Sequence, residues 1–180
     1  MSYDLPSRKE FLKQLSFITG SGLLAGSLPG ISFADSLNKE KFSANERVRV
    51  GMIGVGSRGR YHTILMNHIP QAEITSVCDN YPPNFERAKR LTDGKADAYW
   101  DYRELLEKDQ PDAVVISTPP HEHAQMTIDA LESGAHVLCE KNMANTVDRT
   151  LDMYEAHKRT GKTLLIGMQR RFSIKYLQAI

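Results

Sequence analysis

The sequence predicts an α/β fold, a doubly wound parallel sheet, on three observations. Short apolar runs rich in Val and Ile recur along the body of the chain, the compositional mark of strands. The best of them, Ala113-Val114-Val115-Ile116-Ser117, shows no polar alternation, as a strand covered on both faces should not. Between successive runs lie segments of helical length, which is what crossovers between parallel strands require. Six strands with interleaved helices in about 125 residues leave a parallel sheet wrapped on both faces as the simplest architecture.

Each element has its own local reason. Residues 48–55 form a bounded Val/Ile run, hence the first strand, and a glycine-rich turn leads into a helix over 59–68. Residues 73–79 make the second strand, stopped by Pro82-Pro83, with Asn84 as the cap of a helix through Leu91. A short third strand at 98–99 precedes Asp101, a cap for a helix over 102–108. The fourth strand, 113–117, is ended by Pro119-Pro120. A helix from about Ala124 to Glu132 follows, with Gly134 where a C-terminal glycine belongs. Residues 136–139 are the fifth strand. Thr146 caps a helix to Thr160, closed by Gly161, and 163–168 are the sixth strand.

Composition narrows the function. The 180 residues contain 23 Lys and Arg against 22 Asp and Glu. Three of those basic and two of those acidic residues lie in the first 34, leaving 20 of each in the remainder. A neutral body without a basic stripe argues against nucleic-acid partners. Cys78 and Cys139 are too few and too far apart for a disulfide framework or a zinc site.

The N-terminus reads as an address. Residues 1–34 combine a charged start, Ser7-Arg8-Lys9-Glu10-Phe11-Leu12-Lys13, with a weakly apolar stretch and a small-residue ending at Ser32-Phe33-Ala34. Glycines and Pro29 interrupt the apolar stretch, so it makes a poor membrane span. The start is similar to the twin-arginine signal S-R-R-x-F-L-K, with Lys9 in place of the second arginine. The expectation is export to the periplasm with no membrane association after cleavage; the alternative is a cytoplasmic protein with an N-terminal arm. Residues 35–46 read as a solvated linker.

Gly54-Val55-Gly56-Ser57-Arg58-Gly59 fits G-x-G-x-x-G, following a strand and opening a helix. Gly54 permits the tight turn, Gly56 lets backbone approach a pyrophosphate, and Gly59 lets the helix close on the sheet. The helix N-terminus, with Ser57 and Arg58, offers unpaired N–H groups to phosphate. Twenty residues beyond Gly59, Asp79 ends the second strand, where a carboxylate accepts ribose hydroxyls and repels a 2′-phosphate. NAD is therefore the expected cofactor, with NADP disfavoured. The ends of the fourth and fifth strands supply the other candidates, because ligands bind outside the carboxyl ends of an open parallel sheet. These are Thr118, Pro119, Pro120, His121 and His123, then Glu140 and Lys141. His121 and His123 lack a third ligand, so the reading is a loop-and-cap pair with one or both touching the cofactor, and no metal is expected. Lys141 is the catalytic candidate: a Lys at this strand end can hold a substrate hydroxyl and favour its alkoxide, and burial would tune it. A surface ion pair with Glu140 is the competing reading.

Taken in order, these motifs, with 130–141 and Gly167-Met168-Gln169-Arg170-Arg171-Phe172, resemble the N-terminal domain of the glucose-fructose oxidoreductase/inositol dehydrogenase/MocA family. The resemblance covers about residues 46–180. It implies a Rossmann fold, here placed at 47–172, and NAD(P)-dependent dehydrogenases acting on a sugar, polyol or sugar derivative. It also implies that Gln169 and Arg170 join the cofactor site and that the full-length enzyme is a homo-oligomer. Asn142 stands where the family has the proline of Glu-Lys-Pro, which removes a backbone constraint beside Lys141. Residues 173–180 read as the start of a second domain that the chain truncates. Relatives that cleave glycosides through a transient ketone on NAD are one alternative, and in them the lysine is often missing. A non-catalytic NAD-binding module is the other.

Overall fold

A computed structural model describes residues 47–168. The leader over 1–34, the linker over 35–46, Gln169, Arg170 and the 173–180 stretch lie outside the described residues. Six strands form one sheet: β1 (Val48–Ile53), β2 (Ala72–Cys78), β3 (Asp97–Tyr99), β4 (Ala113–Ile116), β5 (His136–Cys139) and β6 (Leu164–Ile166). Every pairing is parallel and the order is β3-β2-β1-β4-β5-β6. This is the doubly wound arrangement, with its switch point between β1 and β4. Five helices connect the strands: α1 (Ser57–Met66), α2 (Pro82–Leu91), α3 (Tyr102–Lys108), α4 (Pro120–Glu132) and α5 (Val147–Thr160).

The period-two alternation of side chains sorts the central strands onto two cores. Ile53, Val114 and Ile116 face one side, with Leu105 of α3, Ala130 and Leu131 of α4, and Met153 and Ala156 of α5. Val50, Met52, Val77 and Val115 face the other, with Ala88 of α2. Both faces are thus covered, which is why these strands are apolar throughout.

Several boundaries differ from the sequence expectation. The first helix begins at Ser57 and ends at Met66, two residues earlier at each end than 59–68. Asn84 does not cap α2: the helix starts at Pro82, Tyr81 is the N-cap, and Pro82-Pro83 occupy the first turn. Likewise α4 begins at Pro120, not near Ala124. Proline lacks an N–H that the first turn would leave unpaired anyway, so it opens helices as readily as it ends strands. The sixth strand pairs only over Leu164–Ile166. Two caps stand as expected: the Asp101 side chain accepts from Arg103 N–H, and Thr146 from Arg149 N–H. Gly161 ends α5 in the left-handed region at φ 67°.

Strand register places the site. Ile53 is opposite both Cys78 and Ile116, Ile116 is opposite Cys139, and Cys139 is opposite Ile166. The strands therefore end level. The residues that follow them, Asp79, Gly54, Ser117, Glu140 and Gly167, form one row along the carboxyl edge.

Candidate cofactor and active site

The glycine turn is built by close approach. Gly54 has φ 80°, and a Cβ there would sit 2.8 Å from the Thr118 side chain. A Cβ on Gly59 would lie 1.8 Å from the Gly54 carbonyl oxygen, so the fold itself demands glycine at both positions. Gly56 is different. A Cβ there would have Asn84 Nδ2 as its nearest neighbour at 3.6 Å, an ordinary contact, so no described residue fills the space above it.

Beside this turn opens a cleft of about 560 Å³, lined by Gly54, Gly56, Asp79, Trp100, Ser117 and His121 among others. Thr118, Pro119, Asn84 and Met126 also line it. Asp79 stands at its centre. Its Oδ2 accepts from Val55 N–H at 2.8 Å, its Oδ1 from Tyr81 N–H at 2.9 Å, and Asn84 Nδ2 approaches both oxygens at 3.3 and 3.4 Å. These donors fix the carboxylate without exhausting its acceptor capacity. Trp100, on the far wall, stacks on Phe85 with ring centroids 5.0 Å apart.

The edge row continues at Glu140, whose side chain is 8% exposed. Its Oε1 accepts from Arg58 Nε at 2.5 Å and lies 2.8 Å from His62 Nε2, while Oε2 accepts from Lys141 N–H at 3.1 Å. Burial pushes this carboxyl's pKa upward, but the hydrogen bonds from His62, Arg58 and Lys141 N–H outweigh it, and the net shift is downward. Arg58 thus spends one N–H on Glu140 and keeps its terminal nitrogens for other partners. The sequence offered no sign of His62, because its partner lies 78 residues away.

The remaining candidates separate. Lys141 is exposed, not buried as tuning by desolvation would need; it lies two residues beyond Cys139, the last residue of β5. The Lys141–Asn142 peptide is cis. His121 is exposed on the cleft rim, with Nε2 3.3 Å from Glu122 Oε1. His123 lies beneath the cleft, fully buried, with Nδ1 2.6 Å from the Asn142 carbonyl and Nε2 2.8 Å from that of Thr118. It therefore joins the two strand ends from below. Pro120 is the first residue of α4, and Ser57 is exposed at the start of α1.

The residues present fit a dinucleotide. The space above Gly56 is open. The Ser117 hydroxyl is buried in the cleft wall without a hydrogen-bond partner among the described residues. The N-terminus of α1 has no side-chain cap and no acidic residue in its first turn, which leaves its N–H groups to an anion.

Comparison with known proteins agrees with this geometry. The sequence profile of the oxidoreductase family with an NAD-binding Rossmann fold matches residues 48–168. An α-N-acetylgalactosaminidase of Shewanella oneidensis is 33% identical over 177 residues, covering 88% of this chain and 38% of that protein. A scyllo-inositol dehydrogenase from Lactobacillus casei, solved with NAD(H) and scyllo-inositol, shares the fold with a TM-score of 0.70. It is 24% identical, over 74% of this chain and 39% of its own. The WlbA dehydrogenase from Bordetella pertussis, solved with NADH and UDP-GlcNAcA, is 27% identical with a TM-score of 0.66, over 72% of this chain and 37% of its own. The chain spans about two fifths of the length of these relatives. By profile, strand order and glycine turn together, it belongs to the glucose-fructose oxidoreductase/inositol dehydrogenase/MocA family and comprises that family's NAD-binding Rossmann domain.

Proposed function

We propose that the full-length protein is an NAD-dependent dehydrogenase acting on a sugar, a polyol or a sugar derivative. Lys141 carries this reading. Its exposed amine follows β5 on the carboxyl edge, its backbone N–H is held by Glu140, and it is free to meet a ligand lying over the edge row. NAD, when bound, supplies the hydride acceptor. Asp79 would take the ribose hydroxyls, Gly56 and the N-terminus of α1 the pyrophosphate, and Ser117, Thr118, Pro119, Pro120 and His121 the cleft wall. Lys141 would take the proton of the substrate hydroxyl as the carbon is oxidised. The carbohydrate substrates named with the dehydrogenase structures support the class.

A second reading has its own support, the 33% identity to an α-N-acetylgalactosaminidase. Under it, oxidation to a ketone is transient, a glycosidic bond is cleaved, and NAD is restored. Incubating the full-length protein with NAD and separate panels of free sugars, polyols and glycosides tests both. Net NADH formation supports the dehydrogenase. Aglycone release without net NADH supports the glycosidase, and neither product favours a non-catalytic NAD-binding module.

Residues 1–34 support a further proposal, export by a twin-arginine-like signal with the folded, NAD-loaded protein as cargo. Cell fractionation with N-terminal sequencing tests it: mature protein beginning near Asp35 in the periplasm is expected, and uncleaved protein confined to the cytoplasm overturns it. Replacing Arg8 and Lys9 with Gln should abolish processing.

A further inference from the structure

We propose that His62 is a positioning residue for Lys141, acting through Glu140, so that the helix opened by the glycine turn and the strand end bearing the lysine are set as one unit. The inference rests on the reading of Lys141 as the proton-handling group.

Arg58 and His62 are four residues apart on α1 and so share a face. Both converge on Glu140 Oε1, at 2.5 and 2.8 Å, and the His62 side chain is only 12% exposed. The other oxygen, Oε2, accepts from Lys141 N–H. Gly167 leaves this cluster its room: a Cβ there would lie 3.2 Å from Glu140 Cδ and Oε1, so a side chain at 167 would push on the carboxylate. Three donors therefore orient Glu140, and Glu140 in turn holds the backbone N–H of Lys141. Stability alone is a weak reason for such a cluster, since replacing buried charged groups with apolar packing often costs folding nothing. A cluster that spans the cofactor turn and the lysine has a reason in placement. His62 is the member that isolates this role, because its side chain is nearly buried and its Nε2 is spent on Glu140, whereas Arg58 is exposed and keeps further N–H groups.

Two measurements test this. In the present chain, amide hydrogen exchange at Lys141 and calorimetric titration with NAD are compared for wild type, His62→Ala and His62→Gln. His62→Ala should speed Lys141 exchange about tenfold or more while NAD affinity changes less than about threefold; His62→Gln, which keeps a donor, should restore most of the protection. In the full-length enzyme, His62→Ala should lower kcat about tenfold, and the double variant with Lys141→Ala should fall no lower than Lys141→Ala alone. If His62→Ala does not fold, His62→Asn, polar but too short to reach Oε1, takes its place with the same expectations. Unchanged Lys141 exchange, or a double variant whose kcat falls by the product of the two single losses, overturns the inference. So does a normal kcat for His62→Ala beside a crippled Lys141→Ala. A normal kcat for Lys141→Ala instead overturns the dehydrogenase role of the lysine, and the positioning role with it.

Discussion

The backbone N–H of Val55 donates to Asp79 Oδ2 at 2.8 Å, so the glycine turn and the end of β2 are tied by the same carboxylate that faces the cleft. Asp79 is therefore held by the turn it helps to shape, and its charge is fixed in place before any ligand arrives.

From that fixed charge follows cofactor preference. A 2′-phosphate would be brought against a carboxylate that cannot rotate away. NADP should bind at least about tenfold more weakly than NAD, a difference of about 1.4 kcal/mol. Asp79→Ala should narrow the gap and weaken NAD as well, since the Val55 N–H loses its acceptor. Calorimetric titration with both cofactors measures this; equal or tighter NADP binding contradicts it.

Two glycines of the turn should fail in different ways. Gly59→Ala forces a Cβ to within 1.8 Å of the Gly54 carbonyl and should cost about 3 kcal/mol or more, seen as a large drop in melting temperature. The Cβ of Gly56→Val meets only Asn84 among the described residues, so this variant should melt close to wild type yet lose NAD binding. A Gly56 variant that binds NAD normally would remove the pyrophosphate from that space.

Local chemistry is what the sequence made legible. Asp101 and Thr146 cap helices because their partners are two and three residues away, and Gly161 ends α5 through its own φ. The doubly wound parallel sheet followed from apolar runs and crossovers, and the glycine turn from its spacing. The proline pairs misled because one residue type both ends strands and opens helices, and only the packed structure says which it does at 82–83 and 119–120. His62 and the two-sided clamp on His123 were out of reach for a different reason. Their partners, Glu140, Asn142 and Thr118, meet them through sheet register or a helix start that the sequence had placed four residues late.

Lys141 should matter to turnover more than to cofactor affinity. In the full-length enzyme, Lys141→Ala should lower kcat by about 10²-fold, the scale of a positioned proton-transfer group, with NAD affinity nearly unchanged. Steady-state kinetics beside a binding titration separates the two. Near-normal kcat would reduce Lys141 to a surface residue.

Glu140 should give the domain an acid-sensitive stability. Its carboxyl sits below the ordinary value of 4.5 because hydrogen bonds from His62, Arg58 and Lys141 N–H outweigh burial. The contribution is complete above the value of the unfolded chain and is lost as pH falls through the lower, folded value. Glu140→Gln should be less stable than wild type at neutral pH, by about 1–3 kcal/mol, because His62, Arg58 and Lys141 N–H are left short of an acceptor. The two proteins should converge in urea midpoint as pH falls through that lower, folded value. Parallel pH curves would show that Glu140 is not the titrating group.

The order β3-β2-β1-β4-β5-β6 puts the first strand made into the middle of the sheet. The walls of the cleft consequently come from opposite sides of α3 in the chain: Asp79 and Trp100 precede it, whereas Ser117, Thr118 and His121 follow it. Neither half owns the ligand. A nucleotide laid across the seam touches both, so it acts as a rivet between them, and a cut in the loop joining α3 to β4 would leave two pieces whose reassembly the nucleotide itself should promote.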